Sequence, residues 1–114
     1  MVSKVSLKEQ QAKLPLPATD KWPKGVWDIS PLKHGYMSLT LFTPREHDYQ
    51  TPHEQDELYI VFTGAGELVT QQETFSFVEG DVLFVQAGEE HRFERFSDDL
   101  VLWVVFWGPK GGEP

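Results

Sequence analysis

An all-β fold, a sandwich or barrel of short antiparallel strands behind one short N-terminal helix, is what this sequence predicts. Three observations carry that expectation. From Trp22 onward the chain consists of short apolar or alternating runs punctuated by Gly, Pro, Asp and Ser, the spacing of strands and turns. Helical periodicity is confined to the first residues, where Ser6 followed by Glu9 has the form of a capping box before a helix over Leu7 to about Lys13, stopped by Pro15 and Pro17. The 114 residues, 39% of them hydrophobic, suffice for one core and are too few for two ordinary domains.

The expected strands are Gly25 to Ile29, Tyr36 to Phe42, Glu57 to Phe62, Gly66 to Thr70, Glu73 to Val78, Val82 to Val85, His91 to Phe96 and Leu100 to Phe106. "TGAGE" and "TQQETF" read as hairpin connections, and "FVEGD" as a turn that introduces the next strand. The organisation is therefore a helix and extended arm over residues 1–24, a β-barrel over 25–108 and a loose tail, "GPKGGEP", whose last residues 109–114 are flexible.

The final run, "LVLWVVFW", is apolar on both faces, with Leu100, Leu102, Val104 and Phe106 on one and Val101, Trp103, Val105 and Trp107 on the other. One face belongs to the core. The other calls for a partner subunit or the folded-back N-terminal segment, and a homodimer is the expectation. Asp98, Asp99 and Pro109 flank the run as gatekeepers against aggregation.

Charge and composition narrow the function. Ten basic residues against 18 acidic ones give a net charge of -8 with no basic stripe, which argues against nucleic acid as a partner. Cysteine is absent, so disulfides, thiolate zinc sites and a cysteine nucleophile are excluded together. No apolar stretch approaches the roughly 20 residues of a membrane-spanning helix, and no signal-peptide pattern opens the chain. No membrane partner and a cytoplasmic location are the resulting expectations.

Chemistry concentrates in two stretches. In "TPHEQDELYIVF", extended backbone places Thr51, His53, Gln55, Glu57, Tyr59 and Val61 on one face, with Glu54 and Asp56 turned outward to solvent. In "GDVLFVQAGEEHRFERF", His91, Phe93 and Arg95 share a face. Two imidazoles and one carboxylate, His53, His91 and Glu57, form a set that leaves coordination positions open. It suits Fe(II), with Mn, Ni, Zn or Co as other occupants. A carboxylate aimed into a barrel is costly to desolvate unless a cation, a hydrogen-bond network or a proton compensates it.

These two stretches resemble the paired motifs of the cupin superfamily. His53, Glu57 and Gly64 stand at the spacing of the first motif's second His, Glu and closing Gly, and Gly80, Gly88 and His91 match the second motif. The 15 residues from Ala65 to Glu79 form a short intermotif segment. The resemblance spans about Tyr36 to Phe106 and implies a small single-domain cupin, an antiparallel double-sheet β-barrel or jelly roll with a short N-terminal helix. It implies one divalent metal, Fe, Mn, Zn or Ni, on His53, Glu57 and His91.

Four positions depart from the pattern: Arg45 for the opening Gly, Thr51 for the first ligand His, Gln86 for Pro and Arg95 for Asn. Gln55 or His47 is left as a substitute fourth contact. Thr51, Gln55, Tyr59 and Arg95 are the candidate substrate-binding residues; an inward Arg95 would take a carboxylate or phosphate, and an outward one would pair with a nearby acid. Phe84, Phe93, Trp103 and Phe106 are expected in the core, His34 and His47 at the surface, and Gly64, Gly66 and Gly88 at turns needing unusual backbone angles. Three functions follow from the resemblance. The first is a metalloenzyme of dioxygenase or isomerase type acting on a small organic molecule. The second is a non-enzymatic small-ligand or metal-binding module that works through a partner, and the third a metal-free structural cupin.

Overall fold

The computed structural model describes residues 1–114. Helix α1 (Leu7–Gln11) begins where the sequence places it, with the Ser6 hydroxyl accepting the Glu9 N–H at 3.3 Å, and ends just short of the expected Lys13. Eight strands follow: β1 (Asp28–His34), β2 (Met37–Phe42), β3 (Asp56–Thr63), β4 (Gly66–Thr70), β5 (Thr74–Phe77), β6 (Val82–Val85), β7 (His91–Glu94) and β8 (Val101–Trp107). They form two antiparallel sheets, one of five strands in the order β1-β2-β8-β3-β6 and one of three in the order β5-β4-β7. This is the jelly-roll arrangement of two facing sheets without closure into one continuous barrel.

Seven strands fall within a few residues of their expected positions. The first does not: the segment from Gly25 carries only an isolated bridge between Val26 and Leu16, and β1 itself runs on to His34 through Pro31. An edge strand tolerates Pro, and the register slips between Ile29 and Leu32, so Pro31 interrupts no ladder. "TGAGE" is a second correction. It joins β3 to β4 across the two sheets and is therefore a sheet-to-sheet crossing; "TQQETF" is the hairpin, linking β4 to β5.

The two glycines of that crossing serve different ends. Gly64 has φ +96°, and a side chain there would meet Ser97 Oγ at 2.6 Å and the Leu100 backbone at 2.8 Å. Gly66 has no unusual angle, contrary to expectation; a Cβ there would sit 2.7 Å from Phe96 Cβ, so close packing selects it.

The core lies between the sheets, built from Phe42, Tyr59, Val61, Leu68, Phe77, Val85, Phe93, Leu100, Leu102 and Val104, with Trp22 of the N-terminal arm and Phe106 packed against it. Rings meet edge to face along this core, as where Phe93 contacts Tyr59 at 4.9 Å and Phe77 at 5.6 Å between centroids. Phe84, expected inside, is 59% exposed on the outer face of β6. Alternation explains the error: in β6 the inward positions are Leu83 and Val85, and Phe84 has the opposite parity.

Arg45 has a structural task in place of the motif's glycine. Its Nη1 donates to the carbonyls of Thr43, Pro44 and Leu100 at 3.0, 3.1 and 3.3 Å, and its guanidinium lies 5.0 Å from the Trp27 ring centroid. The tail is also anchored. Gly111 N–H donates to the Glu54 carbonyl at 2.7 Å and Glu113 N–H to the Asp56 carboxylate at 2.9 Å. Asp56, expected outward, is consequently buried, accepting from Ala87 N–H as well; those two backbone donors hold its carboxyl below the usual range.

Candidate metal centre

Strand β3 delivers Glu57 and Tyr59 to the interior, β7 opens with His91, and the loop before β3 carries His53. Residues 51–55 are not part of a strand, yet His53 still arrives beside Glu57. His53 Nδ1 lies 3.3 Å from Glu57 Oε1, and His91 Nε2 lies 2.8 Å from the same oxygen. One ligand atom from each of the three residues falls within a common span of 4.8 Å. An ion with bonds of about 2.0–2.2 Å bridges such a span with little side-chain movement.

Burial makes the cluster chemically tense. Side-chain exposure is 1% for Glu57 and 0% for His91, against 36% for His53, so the first two are sealed in and the third forms the open rim. Glu57 Oε2 and His53 Nδ1 are themselves buried without a hydrogen-bond partner. Unpaired polar atoms of this kind are rare and call for a reason. Here the two orphans belong to one small cluster, and a divalent ion would supply the missing partner, so the residues present fit such an ion.

Burial pushes the Glu57 carboxyl up, but the neighbouring His53 and His91 imidazoles outweigh it and hold the group below the usual carboxylate range. Burial likewise pulls His91 down, and Glu57 reverses that, leaving the imidazole raised. Glu57 and His91, 2.8 Å apart, thus each favour the other's charged form. His91 Nδ1–H donates to the Glu89 carbonyl at 2.8 Å, which fixes the ring and points Nε2 at Glu57. A metal ion would take the place of the Nε2 proton.

Behind the three residues runs a polar chain that sequence reasoning missed. Buried Asp48 accepts the Phe93 N–H at 2.9 Å, the Gln50 N–H at 3.0 Å and the Gln50 side-chain amide. That orients the Gln50 carbonyl to accept from Tyr59 Oη at 3.1 Å, while Tyr59 Oη meets His91 Nε2 at 2.9 Å. Burial, reinforced by the charges of Glu57 and Asp48, keeps the Tyr59 phenol far from ionisation. The available signal was the Asx-type Asp48–Gln50 spacing, which is common in loops and does not reveal its distant partner, Phe93.

The four candidate substrate residues separate sharply. Tyr59 lines the inner cavity. Gln55 faces the outer cavity, but its amide donates to the carbonyls of Tyr36 and Gly108 at 2.8 and 2.9 Å, so it ties down the rim. Thr51 is exposed and accepts from Lys21 Nζ at 3.1 Å. Arg95 points outward from a positive-φ position and pairs with Glu67, which removes it from the site. Neither Gln55 nor His47 completes the cluster; His47 is exposed and meets Tyr49 edge to face at 4.5 Å between centroids.

Two cavities reach the cluster at His53, the one of its three residues that lines them, and share Ser30, Thr40, His53 and Phe106. The inner one, about 250 Å³, is lined also by Lys21, Trp22, Asp28, Phe42, Gln50, Tyr59 and Val104. The outer one, about 650 Å³, leads to solvent past Lys33, Tyr36, Gln55 and Lys110. Ser30 and Thr40 hydroxyls bond to each other at 2.8 Å on the wall between them. Phe106 packs on the His53 ring at 4.8 Å and holds it at the junction.

The family model described as Cupin domain matches residues 38–107, which run from the second residue of β2 to the end of β8 and include all three cluster residues. The chain is a cupin. An uncharacterized protein of Streptomyces coelicolor is 41% identical over 63 residues, which cover 55% of this cupin and 60% of that relative. A crystal structure of a protein from Neisseria meningitidis superposes with TM-score 0.69 at 14% identity, over 93% of this chain and all of that one. The DMSP lyase of Ruegeria pomeroyi superposes with TM-score 0.62 at 17% identity, over 71% of this chain and 46% of the lyase. At such identities the structural likeness establishes the fold alone.

Proposed function

We propose that this cupin holds one divalent metal ion on His53, Glu57 and His91 and uses it as a metalloenzyme, of dioxygenase or isomerase type, on a small organic molecule. The observation that carries the reading is the convergence of His53, Glu57 and His91, together with two buried atoms of that cluster, His53 Nδ1 and Glu57 Oε2, that have no hydrogen-bond partner. A divalent ion there supplies Lewis-acid polarisation or, if iron, oxygen activation, with positions left open for a ligand.

The residues around it do the rest. Glu57 serves as a ligand and is therefore unavailable as a general base. His91 is locked by the Glu89 carbonyl, and Tyr59 stays protonated beside it. Trp22, Phe42, Val104 and Phe106 give the inner cavity a wall that favours an organic skeleton over water. The likeness of the fold to part of a lyase supports an enzymatic reading. The competing reading, a non-enzymatic small-ligand or metal-binding module acting through a partner, draws support from Thr51, where an exposed hydroxyl replaces a ligand.

Metal content decides the first step. Elemental analysis of freshly purified protein, repeated after anaerobic iron loading, is expected to give one ion per chain, and Glu57→Gln or His91→Ala to lower it well below one. Full occupancy in both variants would refute the assignment. Turnover lost on chelation and regained with metal would set the enzyme apart from the binding module.

The same proposal includes a homodimer. Ile60, Phe62, Val82 and Phe84 form an exposed apolar patch on the outer face of β3 and β6, and β6 is a sheet edge with one side unpaired. An uncharged flat face of this kind is self-complementary, which suits a second copy of the chain.

A further inference from the structure

We infer that residues 108–113 are a clasp for the metal centre: by bonding to the three residues that follow His53, they hold that imidazole, the open member of the cluster, in register with Glu57 and His91. The inference rests on the metal-centre reading above and extends it to the part of the chain that positions one ligand.

The first argument is what each ligand stands on. Glu57 lies in the β3 ladder, opposite Val85 and Phe106, and His91 lies in β7, opposite Thr70. His53 stands in the loop before β3, outside any ladder, with its side chain 36% exposed. Its place therefore depends on what fixes residues 54–56, because a loop without such ties loses entropy whenever it is ordered around an ion.

The second argument is where those ties come from. The Glu54 carbonyl accepts the Gly111 N–H at 2.7 Å, and the Glu54 carboxylate meets Lys110 Nζ at 3.2 Å. Gln55 Nε2 donates to the Gly108 carbonyl at 2.9 Å. The Asp56 carboxylate accepts the Glu113 N–H at 2.9 Å. Three successive residues after His53 are thus each bonded to the tail.

The same clasp reaches the other half of the site. The second Asp56 oxygen accepts the Ala87 N–H at 2.9 Å, and the Gly88 N–H donates to the His53 carbonyl at 2.8 Å. Ala87 and Gly88 belong to the turn that leads to Glu89, whose carbonyl fixes the His91 ring. Buried Asp56 therefore joins the tail to both ligand-bearing loops. Gly112 makes the fit close: it has φ +88°, and a Cβ there would sit 2.8 Å from Asp56 Oδ1 and 3.1 Å from Ala87 Cβ.

Gly112→Ala tests the clasp, since it pushes the tail off Asp56 without touching a ligand. Zinc affinity, measured against a competing chelator, is expected to fall about 10-fold or more, the scale on which outer partners of metal ligands act. In a His53→Ala background the same substitution should cost less than about 2-fold, because the ligand it positions is gone. Glu113→Ala keeps the backbone donor to Asp56 and should leave affinity unchanged. In chelated protein, amide exchange over residues 53–56 should quicken about 10-fold in Gly112→Ala while Tyr59 and Val61 in β3 keep their protection. Undiminished zinc affinity, an equal loss in both backgrounds, a loss in Glu113→Ala as large as in Gly112→Ala, or unaltered exchange would overturn the inference. Failure of the wild type to bind any divalent ion would instead defeat the metal-centre reading, and exchange over residues 53–56 would then decide by itself whether the tail holds the His53 loop.

Discussion

Along β3 the inward Glu57 and Tyr59 are polar yet each 1% exposed, whereas the outward Ile60 and Phe62 are apolar and 37% and 50% exposed. An ordinary half-buried strand does the reverse, with apolar residues inside and polar ones in water. Both faces of one strand therefore break the same rule, in opposite directions. The inward exception is offset by specific partners: His91 for Glu57, and Gln50 and His91 for Tyr59. The outward exception remains exposed beside its cross-strand neighbours Trp103 and Val82. Under the proposed function the first would take a small ligand and the second would meet a second copy of the chain.

Truncating each face is the most forceful way to break this contrast. Tyr59→Ala removes a fully buried ring that touches Phe93 and strips Gln50 and His91 of a partner, so a loss of about 3–5 kcal/mol is expected. Phe62→Ala on the other face should alter the stability of a single chain by no more than about 0.5 kcal/mol. Chemical denaturation of both variants checks the pair. Equal losses would show that the outward face is packed within one chain, contrary to the exposure of Phe62.

A smaller effect sharpens the inward side. The raised His91 contributes stability that is complete below its ordinary pKa of 6.5 and is lost as pH rises through the raised value. The lowered Glu57 contributes stability that is complete above its ordinary 4.5 and is lost as pH falls through the lowered value. In chelated protein the pair therefore stabilises most fully between pH 4.5 and 6.5. Subtracting the unfolding profile of His91→Gln from that of the wild type should expose a plateau over this window with a fall on each side. Adding metal should invert the alkaline limb, because a coordinated imidazole must be deprotonated. A difference profile that is flat across the whole range would show that His91 and Glu57 do not favour each other's charged form.

How much of this was legible in the sequence depends on how local the cause is. Strand positions were readable because turn residues and alternation act over a few neighbours, and seven of eight strands fell close to expectation. The cluster was readable because the spacing of His53 to Glu57, and of Gly88 to His91, fixes each half locally, and the fold needs only to bring the halves together. Asp56 was misread because its two donors come from Ala87 and Glu113, both distant in sequence. Lys21, Asp28, Asp48 and Gln50 were missed for the same reason: each acts through a partner or cavity that exists only once the arm and the two sheets have packed. Arg95 was a candidate by its place in the motif, and its positive φ and the acid of Glu67 turned it outward.

The least disruptive change to the fold bears on the outward face. Phe84 lies opposite Leu58 across the β3–β6 pairing and is 59% exposed, on an edge strand whose other side is unpaired. A charge on each of two copies at a self-complementary face meets its own like across the two-fold axis, so a double substitution, Phe62→Lys with Phe84→Lys, opposes association through repulsion as well as lost burial. Surface substitutions of this kind should change the stability of one chain by only about 0.5 kcal/mol. The expected result is a change of mass from two chains to one in analytical ultracentrifugation, with metal content unaltered because the cluster points the other way. A wild-type mass of one chain at all concentrations would remove the dimer, and leave the apolar face as a surface for a different protein.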